Sequence, residues 1–137
     1  MRYLGVDYGN KKIGLALSDE AGTMGFPRAV ARNSPKCIDE LCALIARENV
    51  GAVIIGESHA LSGGMNPIMK DAHAFGDAIA QRAGVPVFYE SEAFTSAEAR
   101  RLPAKQNKSR APKRRVVVDA AAAALILTSF LTRQERH

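Results

Sequence analysis

Large apolar residues at Ile13, Leu15 and Leu17 alternate with Gly14, Ala16 and Ser18, the period of two expected of a half-buried strand. Just upstream, Tyr3 to Val6 is a short apolar run of strand-forming residues. It delivers Asp7 to a turn at Gly9 and Asn10, the latter a residue that tolerates left-handed backbone. Together these segments predict a hairpin with Asp7 at the end of its first strand. Asp19 to Gly22 predicts a second turn, and Met24 to Ala31 a third strand that Pro27 consigns to a sheet edge. The rhythm then becomes helical. Asn33-Ser34-Pro35 is a helix start, with Asn33 or Ser34 as cap, and Ile38, Leu41, Cys42, Leu44 and Ile45 carry the helix to about Asn49. Val50 to Gly56 is a continuous apolar run, which suits a buried strand running parallel to its neighbour after the crossover.

Beyond a loop with Gly63 and Gly64, a second helix is predicted from Pro67 to Ala83 and a fifth strand over Val85 to Tyr89. A third helix starts at Thr95 or Ser96, with Glu98 close behind, and ends before Pro103. The last helix begins near Val117 and runs through Leu131, its Ala-rich front allowing close packing on a sheet. The order β-β-β-α-β-α-β-α-α predicts a single α/β domain over residues 1–137. Its mixed five-stranded sheet has three antiparallel strands and then two parallel ones, with helices on both faces.

Composition narrows the function. With 47% hydrophobic and 24% charged residues this is globular chemistry, and no apolar run approaches the ~20 residues that span a bilayer. An acid at position 7 comes too early for a secretory signal, so a cytoplasmic location without membrane association is expected. Cys37 and Cys42 fit neither a disulfide framework nor C-x-x-C, and the three histidines have no zinc-site spacing. Aromatic residues make up only 6%, too few for a stacking platform for single strands. The net charge of +5 is unevenly spread. Arg100, Arg101, Lys105, Lys108, Arg110, Lys113, Arg114 and Arg115 crowd into 100–115 with no acid among them, while the rest of the chain holds 11 basic and 14 acidic residues, a net of −3. Such a segment is a polyanion contact, because Lys and Arg release condensed counterions from phosphates.

Carboxylates stand where elements end. Asp7 closes the first strand, Glu90 and Glu92 follow the last, and Asp119 opens the last helix. With the first strand central, these ends converge. Convergent carboxylates repel unless a cation sits among them, and hard oxygen donors suit Mg²⁺ or Mn²⁺. Two such ions about 4 Å apart activate water and stabilise the leaving oxygen of a phosphodiester.

These residues carry a family resemblance over nearly the whole chain. Asp7-Tyr-Gly-Asn-Lys-Lys-Ile-Gly-Leu-Ala-Leu-Ser-Asp19 is similar to the D-x-G-x-K-R-I-G-V-A-x-S-D opening of the YqgF/RuvX family. Val53-Ile-Ile-Gly56 resembles that family's V-V-G-L-P segment, Glu92-Ala-Phe-Thr-Ser-Ala-Glu-Ala99 its D-E-R-x-T-T-x-E-A segment, and Val118-Asp-Ala-Ala-Ala-Ala-Ala-Leu-Ile-Leu127 its closing helix. The resemblance implies an RNase H-like fold. It also implies nuclease activity, either in 5′ maturation of pre-16S ribosomal RNA or in Holliday junction resolution. Asp7, Glu92 and Asp119 would then be the metal-binding catalytic acids. The chain departs from the family pattern in three places. Ser91-Glu92-Ala93 replaces Asp-Glu-Arg, Gly56-Glu57-Ser58 replaces Gly-Leu-Pro, and Ser62 replaces the Asp before Gly63. The missing Arg at 93 removes a phosphate contact or carboxylate partner, and Glu90 is placed to stand in for the missing acid at 91.

Three functions follow. In the first, the chain is a metal-dependent nuclease on pre-rRNA or branched DNA. Lys11, Lys12 and the 100–115 cations hold backbone phosphates; the protein is a monomer for RNA trimming and a homodimer for cutting a junction. In the second, a nucleic-acid or pre-ribosome binding protein keeps the fold and has weakened chemistry. In the third, the D-x-G hairpin serves an ATP-using sugar kinase, but such enzymes close two domains over a cleft and 137 residues supply one.

Overall fold

The computed structural model describes residues 1–57, 67–91 and 120–135. Strands β1 (Arg2–Tyr8), β2 (Lys12–Ser18) and β3 (Gly25–Arg32) form the expected antiparallel meander. Helix α1 (Pro35–Arg47) crosses to β4 (Val50–Glu57), which pairs parallel to β1. Helix α2 (Pro67–Ala83) leads to β5 (Val87–Ser91), parallel to β4, and α3 (Ala120–Glu135) closes the described chain. The strand order is β3-β2-β1-β4-β5, with β1 central.

Strand alternation divides the core in two. Leu4, Val6, Ile13, Leu15, Val53 and Ile55 face α1 and α2, where Leu41, Ile45, Phe75 and Ile79 meet them. Ala16, Ala52 and Ile54 face α3, against Ala123, Leu127 and Phe130. The second layer is thinner because small residues let the helix sit low. A methyl group added at Gly5 would stand 2.8 Å from Leu127 Cβ and 2.9 Å from the Ala123 carbonyl oxygen. Gly25 abuts the same Leu127, and its N–H donates to Thr128 Oγ1 at 3.0 Å. On the other face, α1 and α2 are tied at the surface by Arg82 and Asp39; Asp39's hydrogen bond and charge raise the guanidinium's pKa above its ordinary value.

Several local expectations change. Among the described residues other than glycine, the left-handed one is Asn49 (φ 56), two residues past α1, and not Asn10. Ser34, one of the two residues expected there, is the N-cap of α1, although its side chain makes no cap bond. Asn33 caps nothing: its Nδ2 donates to the Gly9 carbonyl at 2.8 Å and its N–H to the Lys11 carbonyl at 2.8 Å, binding the β1–β2 turn to the end of β3. Pro27 lies on edge strand β3 as expected, beside an irregularity where Leu15 pairs with Ala29 and Ala16 with Pro27. Strand β5 starts two residues later than predicted. Pro86 precedes it, lending only its carbonyl to Val53 N–H, and Glu90 lies inside the strand, not beyond it. The predicted helix from Thr95 or Ser96 and the 100–115 segment lie outside the described residues.

Candidate active site

Asp7 sits one residue before the end of the central strand and is 4% exposed. Tyr3 and Gly5, which alternate with the core residues Leu4 and Val6, lie under α3, and Asp7 continues that face. Register then fixes its neighbours. Asp7 pairs with Gly14 on β2. Val6 pairs with Ile55, and Ile55 with Tyr89, so the next row reads Gly14, Asp7, Gly56, Glu90. Both lateral neighbours of Asp7 are glycines. Side chains there would stand only ~5 Å from its Cβ. A carboxylate is a hard oxygen donor of the kind that Mg²⁺ or Mn²⁺ takes, and Gly14, its partner on β2, sets no side chain beside it.

Glu90 ends the row, its backbone roughly 10 Å from that of Asp7 at two strand spacings. It is 1% exposed, and its Oε2 accepts from Ser129 Oγ at 2.8 Å and lies 3.4 Å from Arg133 Nη1. That oxygen pins β5 to α3 and is not an open ligand oxygen replacing an acid at 91. Its role escapes sequence reading because both partners lie about 40 positions downstream; an acid inside an otherwise apolar strand is the signal that could have drawn attention to it.

Lys11 and Lys12 lie where expected, exposed at the β1–β2 turn. They line a cleft of about 500 Å³ with Asn10, Val30, Ala31, Arg32 and Asn33. Arg32 was not among the sequence candidates, although the hairpin register sets it opposite Lys12. Beside the cleft a second hollow of about 410 Å³ runs from Asn33 over Tyr8 and Pro35 to Asp71 and Phe75. Glu92, Asp119 and the cations Arg100, Arg101, Lys105, Lys108, Arg110, Lys113, Arg114 and Arg115 lie outside the described residues. Among the described ones no group of three or more His, Cys, Asp or Glu side chains could hold a metal ion. No described helix is long and apolar enough to cross a membrane.

A family model described as "RuvX: Holliday junction resolvase" matches residues 1–133. A protein of Pelotomaculum thermopropionicum named "Putative pre-16S rRNA nuclease" is 36% identical, the match covering 99% of this chain and 90% of the relative. One of the same name from Desulforudis audaxviator is 38% identical over 96% of this chain and 94% of its own. Among solved structures, Thermus thermophilus RuvC in complex with a Holliday junction substrate superposes with a TM-score of 0.61 at 19% identity, covering 99% of this chain and 96% of that one. The fowlpox virus Holliday junction resolvase does so with a TM-score of 0.53 at 12% identity, covering 97% and 99%. These superpositions establish the shared RNase H-like fold.

Proposed function

This chain belongs to the RuvX family, described as Holliday junction resolvases. On that premise we propose that it is a divalent-metal-dependent nuclease that hydrolyses phosphodiester bonds in structured nucleic acid, with the 5′ end of pre-16S rRNA its first substrate and a four-way DNA junction its second. The observation that carries the reading is the buried Asp7 near the end of the central strand, paired with Gly14 and one step beyond the Val6–Ile55 pair. The carboxylate is a hard oxygen donor of the kind that Mg²⁺ or Mn²⁺ takes, and Gly14 beside it carries no side chain. Asp7, Glu92 and Asp119 would hold the ion, which when bound supplies an activated water and offsets charge on the leaving oxygen. Asp7, locked in the sheet, fixes where cleavage occurs. Lys11 and Lys12 hold backbone phosphate beside it, and the 100–115 cations draw the polyanion in. The names of the relatives favour RNA.

The second reading, a binding protein with weakened chemistry, has one observation in its favour. Ser91 stands where the family carries Asp, and Glu90 Oε2 is already taken by Ser129 and Arg133.

Purified protein incubated with a precursor-rRNA fragment and with a four-way junction, in Mg²⁺, Mn²⁺ or EDTA, tests both readings. Metal-dependent cuts are expected, and Asp7→Asn should reduce them more than about 100-fold, since even residues that only support a metal ligand cost 10–100-fold. Salt-sensitive binding without cuts in either metal would leave the second reading standing.

A further inference from the structure

The cleft at the turn of the β1–β2 hairpin has an unusual charge balance. Three of its seven lining residues are cationic, Lys11, Lys12 and Arg32, and none is acidic. Lys12 and Arg32 are register partners on neighbouring antiparallel strands. Like charges directly opposite each other destabilise a sheet. None of the three has an ion-pair partner among the described residues, whereas the other five arginines there each meet a carboxylate within 4.0 Å. The walls are held in advance of any ligand, because Asn33 ties the Gly9 and Lys11 carbonyls to the end of β3. Repelling cations on a fixed frame make an anion site whose ligand repays the repulsion.

Position supplies the ligand class. Lys12 stands two residues before Gly14 on β2, so it and Arg32 share the sheet face of Asp7. Two residues of strand are ~7 Å, on the order of the spacing between neighbouring phosphates along one strand. We propose that Lys12 and Arg32, with Lys11, form a subsite for one phosphodiester group of a nucleic-acid strand, close along that strand to the bond cut at Asp7. It sets the path of that strand across the sheet. This rests on the nuclease reading and assigns Arg32 to it.

The test is binding of a labelled single-stranded RNA and of a four-way DNA junction across a salt series, in the uncleaving Asp7→Asn background. Arg32→Gln should lower the slope of log affinity against log salt by about 1, which is roughly tenfold in affinity at 0.1 M salt. Arg28→Gln, on the same strand but paired with Glu48, should leave both unchanged. A loss confined to RNA, or to the junction, identifies whose phosphate is held. Arg32→Gln should also raise or preserve the Tm of the free protein, because it removes a repulsion. Slope and affinity equal to those of Arg28→Gln, or a lowered Tm with an unchanged slope, would overturn the subsite and leave the nuclease reading intact. Failure of the Asp7→Asn protein to bind either probe would sink both.

Discussion

On the proposed reading, Gly14, paired with Asp7, and Gly56, which follows the β4 partner of Val6, would leave room for a ligand at the carboxylate. Gly56→Ala keeps a residue compatible with a strand but puts a methyl ~5 Å from the Asp7 Cβ. Cooperative unfolding should survive while cleavage falls by tenfold or more, on the order of what supporting residues of metal sites contribute. Activity equal to wild type would mean that the bare flanks of Asp7 serve no ligand. Glu90 gives the complementary stability test. Its Oε2 is buried with Ser129 as a close donor and Arg133 Nη1 at 3.4 Å, so Ser129→Ala should cost about 1 kcal/mol in urea unfolding, the net contribution of one hydrogen bond where a second partner remains. Sequence reading found Asp7 because an acid between an apolar run and a glycine turn stands out locally. It assigned Glu90 and Asn33 to the wrong roles because each bonds to groups 24–39 residues away, and only the fold brings those together.

At the scale of elements, the seating of α3 on the sheet depends on Gly5. Gly5→Ala would drive its methyl into Leu127 and the Ala123 carbonyl. Overpacking of this kind costs about 1–3 kcal/mol, measurable as a lowered urea midpoint, and it would lift the helix from the sheet at Leu127. The β2–β3 turn responds to pH. Asp19 accepts from Thr23 Oγ1 at 2.6 Å, from Thr23 N–H at 2.8 Å and from Met24 N–H at 3.1 Å, and these bonds, the Thr23 hydroxyl first, lower its pKa from 3.8 to about 2. A carboxyl more acidic in the folded than in the unfolded chain stabilises the fold above the unfolded value and loses that contribution as pH falls towards the folded one. The stability gap between wild type and Asp19→Ala should therefore be full at pH 5 and shrink between about pH 4 and pH 2. A gap constant over that range would show that the ionised turn contributes nothing. Elements were legible where periodicity was long: α2 runs from Pro67 to Ala83 as predicted, carried by Ala72, Phe75 and Ile79 on one face. Strand β5 slipped by two residues because apolar content alone included Pro86, which has no N–H to give the ladder, and left out the buried polar Glu90.

For the molecule as a whole, charge is divided between a body and a segment. Residues 100–115 carry eight cations and no acid, and the remaining residues sum to −3. On the proposed reading, a mildly acidic body would repel nucleic acid at long range, so encounter would be driven by the segment while the cleft lined by Lys11, Lys12 and Arg32 would set register once contact is made. The two contributions separate in a salt series. Replacing Lys105, Lys108 and Arg110 together by Gln should lower the slope by about 2 on single-stranded RNA and nearly 3 on duplex arms, following the charge density of each. The ratio of RNA to junction affinity should shift only by that difference, because non-specific phosphate contacts carry no sequence information. Cleavage at saturating substrate should persist, since none of the three is a carboxylate that would hold the ion. A triple variant that binds normally but no longer cuts would reverse this division of labour and make the segment part of the catalytic apparatus.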